Sequence, residues 1–574
     1  MPDHKPAFSF VLHTHLPYVL YHGTWPHGTD WLYEAAAECY LPLLNSFYRL
    51  TEEGIAPKVT IDISPILAEQ LAHAKFIAGL NDYLDERIQA GEYDIEEFSS
   101  TGQPEMLNLA LMWRDHFQAL KSAFTGKYRQ DLPGAFRKLE EQGALEIITC
   151  GATHGYLPLL GLDESIRAQL RQAKATHKGH FHRLPRGIWL PECAYRPGYN
   201  WKTPVESAIP AQERLGLETF LAEEEIRYFF VDTDLLKGGE VVDVYLDRFP
   251  GLKALYERME AARTKLPEKE RKLTHFRPYW VGGKYAEGQI PVAVFVRDPE
   301  TALVVWSGEH GYPGDGNYLE FHKKRFPNGH RYWKVTSPKA DLADKGLYDP
   351  QAIAGRLNEN SDHFVELVEN QLLKAQSGLT SSPPMLIAPY DTELFGHWWF
   401  EGPLWMEQVL RKLHLNSKVR LLTAGEYLES YPPDEAISMP EGSWGQGGFH
   451  WIWLNDDTHW TWTHLYEDEQ RMVELTVKIG GEQDTAEFQR ILKQLGRELL
   501  LEQASDWQFL ISTWSARDYA ESRFTEHHHR FVKLAALAEK YLNGQRLTPE
   551  DYNYLAAVEK SDPVFPNLNP AVWL

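Results

Sequence analysis

The feature that most restricts how this chain folds is a recurring one. Short apolar, β-rich runs are separated by longer stretches with helical periodicity. The runs are AFSFVL (7–12), KVTIDI (58–63), LEIITC (145–150), GIWL (187–190), RYFFVD (227–232), VAVFVR (292–297), ALVVW (302–306), MLIAP (385–389) and KVRLLT (418–423). Strands that alternate with helices pair in parallel and have helices on their faces. The runs end in polar residues: His13 and His15 after the first, Ser64 after the second, the GATHGY stretch with His154 after the third, Pro191 and Glu192 after the fourth, Asp234 after the fifth, Tyr390 and Asp391 after MLIAP. Side chains at the carboxyl ends of parallel strands share one face of a (β/α) barrel, where such a barrel keeps its site. A doubly wound open sheet gives the same string, but no Gly-rich phosphate loop comes after the first strand, as a dinucleotide fold requires.

With 574 residues the chain is longer than one compact core usually supports. The pattern predicts a barrel in two parts, residues 1–234 and 291–432, split by an inserted subdomain at 235–290 where apolar periodicity fades and ERMEAARTKLPEKERK reads as a charged helix. A second stretch, residues 307–333, is rich in Gly, His and Tyr, the composition of a binding loop. After about Pro432 strands are expected to stop. Residues 433–574 read as a helical domain, since FQRILKQLGRELLLEQASDW and FTEHHHRFVKLAALAEKYL repeat apolar residues at helical spacing. His527, His528 and His529 are expected on the surface of the last of these.

Lys and Arg number 58 against 81 Asp and Glu, a formal charge of −23, which repels phosphate backbones and anionic lipid and argues against nucleic acid or membrane partners. The 3 cysteines, Cys39, Cys150 and Cys193, have no metal-site spacing and suit a reducing compartment. The first apolar run is shorter than the core of a secretory signal and no stretch reaches the length of a membrane span, so a cytoplasmic protein, monomeric or weakly self-associating, is expected.

Two acids stand just beyond strand-like runs that end in proline: Glu192 in GIWLPECAY and Asp391 in APYDTELFGHWWFEGP. A carboxylate there is costly to desolvate and is often used chemically, yet it serves as well as a salt-bridge partner or, for Asp391, as a cap on the next helix. In a barrel the two positions meet, and a pair of carboxyls is what a glycosidase needs, one as nucleophile and one as acid/base. His13 and His15 alternate along one strand and point the same way. Such imidazoles hold zinc or donate to sugar hydroxyls, and spacing does not choose between them. His154 and His397 add two more. Of the 19 tryptophans several cluster, Trp398 with Trp399 and Trp451, Trp453, Trp460 and Trp462; core packing explains many, but rings in polar, Gly-rich contexts are also platforms for flat sugar faces.

The motifs HTHLPYV, EIITCGATHGY, GIWLPECAY, YDTELFGHWWFEGP and LEQASDWQFL together resemble the five ordered sequence regions of glycoside hydrolase family 57, most closely its 1,4-α-glucan branching enzymes. The resemblance spans almost the whole chain. It implies a distorted seven-stranded (β/α) barrel with an inserted subdomain and a C-terminal helical domain, and retaining chemistry on α-glucans without metal or organic cofactor. Carried over by residue, it implies Glu192 as nucleophile and Asp391 as acid/base. His13, His15 and His154 correspond to polar residues around the bound glucosyl unit. Trp25, Trp31, Trp306, Trp444 and Trp453 correspond to aromatic positions of the glucan groove, and Asp506 and Trp507 to the fifth region. Tyr245, in GGEVVDVYLDRF, corresponds to a tyrosine on a mobile loop over the site.

The leading expectation is therefore transfer of an α-1,4-linked chain to a 6-hydroxyl. An amylase-like hydrolase and a 4-α-glucanotransferase share the same site. A metal-dependent hydrolase or deacetylase built on the imidazoles, or a non-catalytic glucan-binding protein, are rivals of another class. Branching needs water kept from the covalent intermediate, the task assigned to Tyr245. Tyr245→Ala is expected to suppress α-1,6 links far more than release of reducing ends. An unchanged ratio of the two products would remove the assignment.

Overall fold

The computed structural model describes residues 4–237, 273–307, 311–337, 339–379, 382–481 and 484–574. Seven of the apolar runs become parallel staves: β1 (Ala7–Thr14), β2 (Val59–Ile63), β3 (Leu145–Ile148), β4 (Gly187–Ile188), β5 (Tyr228–Val231), β6 (Ala293–Val296) and β7 (Met385–Asp391). Staves adjacent in sequence are adjacent in space: β1 pairs with β2, β2 with β3, β4 with β5 and β5 with β6, while β7 returns to β1 in a register running from Ala7↔Met385 to His13↔Asp391. Two narrow seams complete the ring. Thr149 N–H donates to Gly187 O at 3.1 Å and Trp189 N–H to Thr149 O at 2.8 Å, joining β3 to β4, and Asp298 N–H donates to Ile387 O at 3.1 Å, joining β6 to β7. The fold is a seven-stave (β/α) barrel, distorted where β4 is reduced to two residues. Its sequential order differs from a doubly wound sheet, whose order reverses at a switch point.

Strand parity decides which residues see the barrel interior. On β1, Phe8, Phe10 and Leu12 pack outwards against helices while Ala7 and Val11 face inwards, and the inward parity brings His13 to the mouth. On β2, Val59, Ile61 and Ile63 face out, leaving Asp62 inside; on β7, Met385 and Ile387 face in, as does Asp391. Trp189, Phe230 and Phe295 help to fill the interior, so it is a packed core with its chemistry at one end.

Three expectations are corrected. ALVVW is the end of helix Pro299–Trp306, not a strand: Asp298 accepts from Thr301 N–H and Pro299 opens the first turn, so the helix-start signal overrides the β-branched run. KVRLLT supplies only Arg420–Leu421, paired with the first residues of β1. Beyond Pro432 a strand persists, Ala436–Ile437, which pairs with Tyr279–Val281 beside β6.

Between β2 and β3 the chain makes two long helices, α1 (Ala74–Ser100) and α2 (Pro104–Ser122). The stretch expected as a binding loop packs on α1, with Tyr318 and Tyr332 buried and both Arg325 and the Tyr332 hydroxyl bonded to Asp94. The C-terminal region is helical as its periodicity predicts: α3 (His459–Thr476), α4 (Ala486–Glu502), α5 (Asp506–Ser512) and α6 (Arg517–Leu542). The expectation for its three histidines holds only for His529, which is exposed. His527 is fully buried, its Nδ1 2.8 Å from Glu498 Oε2 and its Nε2 2.9 Å from an Arg523 nitrogen. Tyr245 and most of the expected insert lie outside the described residues. Among the described residues no helix is long and apolar enough to cross a membrane.

Candidate active site

Glu192 is placed by its backbone. β4 packs so closely on β5 that a Cβ on Gly187 would meet the Tyr228 ring at 2.3 Å. Directly beyond it Pro191 turns the chain, and Glu192 takes φ 61° and ψ 26°. This left-handed conformation costs a non-glycine residue about 1–3 kcal/mol and persists only when its surroundings impose it. Here Trp444 imposes it from both ends of the residue. Its backbone N–H donates to Glu192 O at 3.1 Å and its indole Nε1–H to Glu192 Oε2 at 2.7 Å.

Asp391 ends β7 in register with His13 of β1, which is in register with Asp62 of β2. Its side chain caps nothing in the next turn, Thr392–Leu394, so the helix-cap alternative does not describe it. Both acids open on one cleft of about 590 Å³. Burial, opposed by the Trp444 hydrogen bond and reinforced by Asp391 and Asp506, lifts Glu192 to about 8. Burial likewise lifts Asp391 to about 7, although Arg297 and His15 favour its charged form. Both carboxyls are desolvated in one cleft, and of the two Glu192 holds its proton to the higher pH. Double displacement uses a charged Glu192 and a protonated Asp391, so the proton has to pass from the first to the second before attack.

Three of the four imidazoles form one stacked group, while His397 lines the cleft apart from them with its Nδ1 2.7 Å from Glu38 Oε2. His15 and His154 ring centroids are 4.0 Å apart and those of His13 and His154 5.0 Å. His13 Nδ1 lies 2.6 Å from Asp62 Oδ2 and His13 Nε2 3.0 Å from His154 Nε2, while His154 Nδ1 meets Ser505 Oγ at 2.8 Å. His15 Nδ1 meets Ser64 Oγ at 2.8 Å and its Nε2 lies 3.0 Å from Asp506 Oδ2. Burial first, and neighbouring imidazoles second, hold His13 and His154 well below the usual imidazole value. Burial would raise Asp506, but His15 and His154 outweigh it and hold that carboxyl down. His15, His154 and Asp506 present atoms close enough to share a metal ion, as do His13, Cys150 and His154. Yet every ring nitrogen of the three histidines already has a hydrogen-bond partner, which a metal would have to displace.

Of the remaining expected residues, Trp31, Trp306, Trp444 and Trp453 line the cleft. Trp453 is fully buried and stacks on Tyr156 at 4.5 Å. Trp25 is 80% exposed and is not among the lining residues. Trp507 is buried in the helical domain, its indole N–H donating to Leu501 O at 2.8 Å. The cleft also contains residues to which the resemblance assigns no role. Glu393 is lifted by burial to about 8 and accepts from the Tyr40 hydroxyl at 2.7 Å. Arg297 pairs with Asp232 at 3.0 Å. Arg297 ends the run VAVFVR, and a cation at the end of a stave is the signal that marks it. Phe509 and Leu510, inside the fifth motif, and Gln446 and Ile452, in the Gly- and Trp-rich stretch GSWGQGGFHWIW, also line the cleft.

The family model for glycosyl hydrolase family 57 matches residues 9–440, and that for the C-terminal region of 1,4-alpha-glucan branching enzymes matches residues 464–573. The chain belongs to glycosyl hydrolase family 57. Over 564 residues it is 40% identical to the 1,4-alpha-glucan branching enzyme TK1436 of Thermococcus kodakarensis, a match covering 98% of this chain and 77% of that protein. Its fold is similar to the GH57-type branching enzyme of Pyrococcus horikoshii, with TM-score 0.86, 37% identity and coverage of 99% of this chain and 97% of that one. It is also similar to the α-amylase AmyC of Thermotoga maritima, with TM-score 0.79, 28% identity and 99% of each chain covered.

In this family 57 barrel the hydrogen bond from Trp444 favours the charged form of Glu192, which gives a test with a fixed sign. Trp444→Phe keeps the ring and removes the donor. The pKa of Glu192 then rises, so an activity that needs Glu192 ionised loses its acid limb at a higher pH than in the wild type. A hydrogen bond to a charged group is worth about 1.5–3 kcal/mol, so kcat is expected to fall roughly tenfold or more. A pH profile with an unmoved acid limb would count against Glu192 as the ionised group.

Proposed function

We infer that the chain is a 1,4-α-glucan branching enzyme acting by retaining double displacement. One observation carries the reading: two half-buried carboxyls, at the ends of β4 and β7, share one cleft in a family 57 chain that also matches the branching-enzyme C-terminal region. Glu192 attacks the anomeric carbon of an α-1,4 link as Asp391 gives its proton to the departing 4-oxygen, leaving the donor chain as a β-glucosyl ester on Glu192. Asp391 then takes the proton of an incoming 6-hydroxyl, whose oxygen displaces Glu192 and forms the α-1,6 link. His13, His15, His154 and Asp506 are suited to hold the hydroxyls of the reacting glucosyl unit, and Trp31, Trp306 and Trp453 to guide the chain. A place in glycogen-type synthesis in the cytoplasm is the finer reading that goes with this activity. The likeness to AmyC favours a second one, in which water takes the ester.

Proton NMR of amylose after incubation separates the two. Branching gives α-1,6 signals without a matching rise in reducing ends, whereas hydrolysis gives reducing ends alone and would overturn the inference. Glu192→Gln is expected to reduce both products to background, because an amide cannot form the ester; turnover by a pure preparation of that variant would reassign the nucleophile. Activity at moderate temperature is expected to survive exhaustive chelation. Loss on chelation with recovery on adding zinc would move the site to metal-dependent hydrolysis. A ligand complex is expected to place the two carboxyls about 5–5.5 Å apart, the spacing for retention.

A further inference from the structure

A second group, of buried acids and half-buried imidazoles, lies in the helical domain, away from the residues that line the cleft. α3 carries His464 and Asp468 one turn apart on the same face. Glu502 closes α4, and His528 projects from α6. Asp468, Glu502 and His528 each offer one atom within 4.8 Å of the others. His528 Nδ1 is 2.7 Å from Asp468 Oδ2 and 3.6 Å from Glu502 Oε1, and the His464 and His528 ring centroids are 4.1 Å apart.

The decisive observation is Glu502. It is fully buried, and among the described residues neither of its carboxylate oxygens has a partner within hydrogen-bond distance. The Nδ1 of His464 is a further buried polar atom without a partner beside it. A buried carboxylate left unsatisfied beside a second carboxylate is costly unless a positive charge sits between them. In the metal-free state a protonated His528, 2.7 Å from Asp468 and 3.6 Å from Glu502, can supply that charge. A divalent cation would satisfy the open oxygens of Glu502 as well, which one imidazolium does not.

We propose that Asp468, Glu502 and His528, with His464 alongside, bind one divalent transition-metal ion of the zinc type. Mixed imidazole and carboxylate donors suit such ions better than calcium or magnesium, which take oxygen ligands. On binding, His528 loses its proton to solvent and its nitrogen becomes a ligand. The ion ties together α3, α4 and α6. Ser505 and Asp506, which hold His154 and His15, come directly after α4. The site is therefore a staple for the part of the helical domain that completes the cleft, and its contribution is to stability, with no step of the reaction routed through it.

The test uses the full-length protein, stripped with a chelator and titrated with Zn²⁺, with Co²⁺ as the spectroscopic probe. The wild type is expected to retain one equivalent of Zn²⁺ per chain after gel filtration, to show visible Co²⁺ d–d absorption that Zn²⁺ bleaches, and to gain in Tm. Glu502→Gln and His528→Gln should each lose the equivalent, the absorption and the Tm gain, while far-UV circular dichroism and turnover of amylose at moderate temperature are kept. His154→Ala and His22→Ala, which break the other groups among the described residues whose ligand atoms lie close enough to share an ion, should keep it. A wild type that binds no equivalent, or an equivalent that survives both Glu502→Gln and His528→Gln, would overturn the proposal. Should either of those two variants fail to fold, the wild type and His154→Ala decide: an ion absent from the first or lost from the second sinks the site equally.

Discussion

Ionising a carboxyl in a cleft shielded from water costs far more than at the surface, and a second carboxyl nearby raises the cost again. Glu192, Asp391 and Glu393 all meet that constraint, and their protons are held into the neutral range. Their neighbours set which form each favours. The Trp444 indole favours the charged form of Glu192, and Arg297 that of Asp391. His13 and His154 are kept neutral by burial, so they act as hydrogen-bonding surfaces and do not neutralise the acids. Arg297 is the one guanidinium among the described residues that line the cleft, and it is shared with Asp232. The acids are thereby left able to exchange protons near neutral pH.

Much of this was legible in the chain because a stave end is a local feature. Glu192, Asp391, His13 and His154 stand where apolar runs stop, and inward parity on β1 and β7 then brings His13 and Asp391 into one register. Arg297 also ends a run, but as a lone cation outside the motifs it is assigned no role. Local composition misleads where a start signal competes with it: ALVVW is β-branched, but the Asp298–Pro299 pair ahead of it makes a helix. It misleads again where polar residues are buried in partnership, as His527 is with Glu498 and Arg523. Tryptophans divide without any local sign. Trp25 stands in solvent, Trp507 is core, and Trp444 binds an acid through its N–H, a role that depends on the path of a distant segment.

The barrel does not close the site alone. Ser505 and Asp506 reach the imidazoles from the junction of α4 and α5, and Phe509 and Leu510 line the cleft from α5. His154 itself sits at φ 61°, and its carbonyl accepts from Ser505 N–H at 3.1 Å, so the helical domain helps to hold a strained residue of the barrel. The imidazole group is therefore a product of the interface between the two parts and belongs to neither.

Trp444 lies between the two matched regions, past residue 440 where the family 57 match ends and before residue 464 where the branching-enzyme match begins. Sequence conventions thus divide the molecule at the segment that grips Glu192. For anyone exchanging parts between relatives, the transferable unit is the barrel together with this connector. A chimera joined at the family boundary would carry a nucleophile from one parent and the residue that shapes it from the other, and its chemistry would reflect the mismatch before any glucan reached the groove.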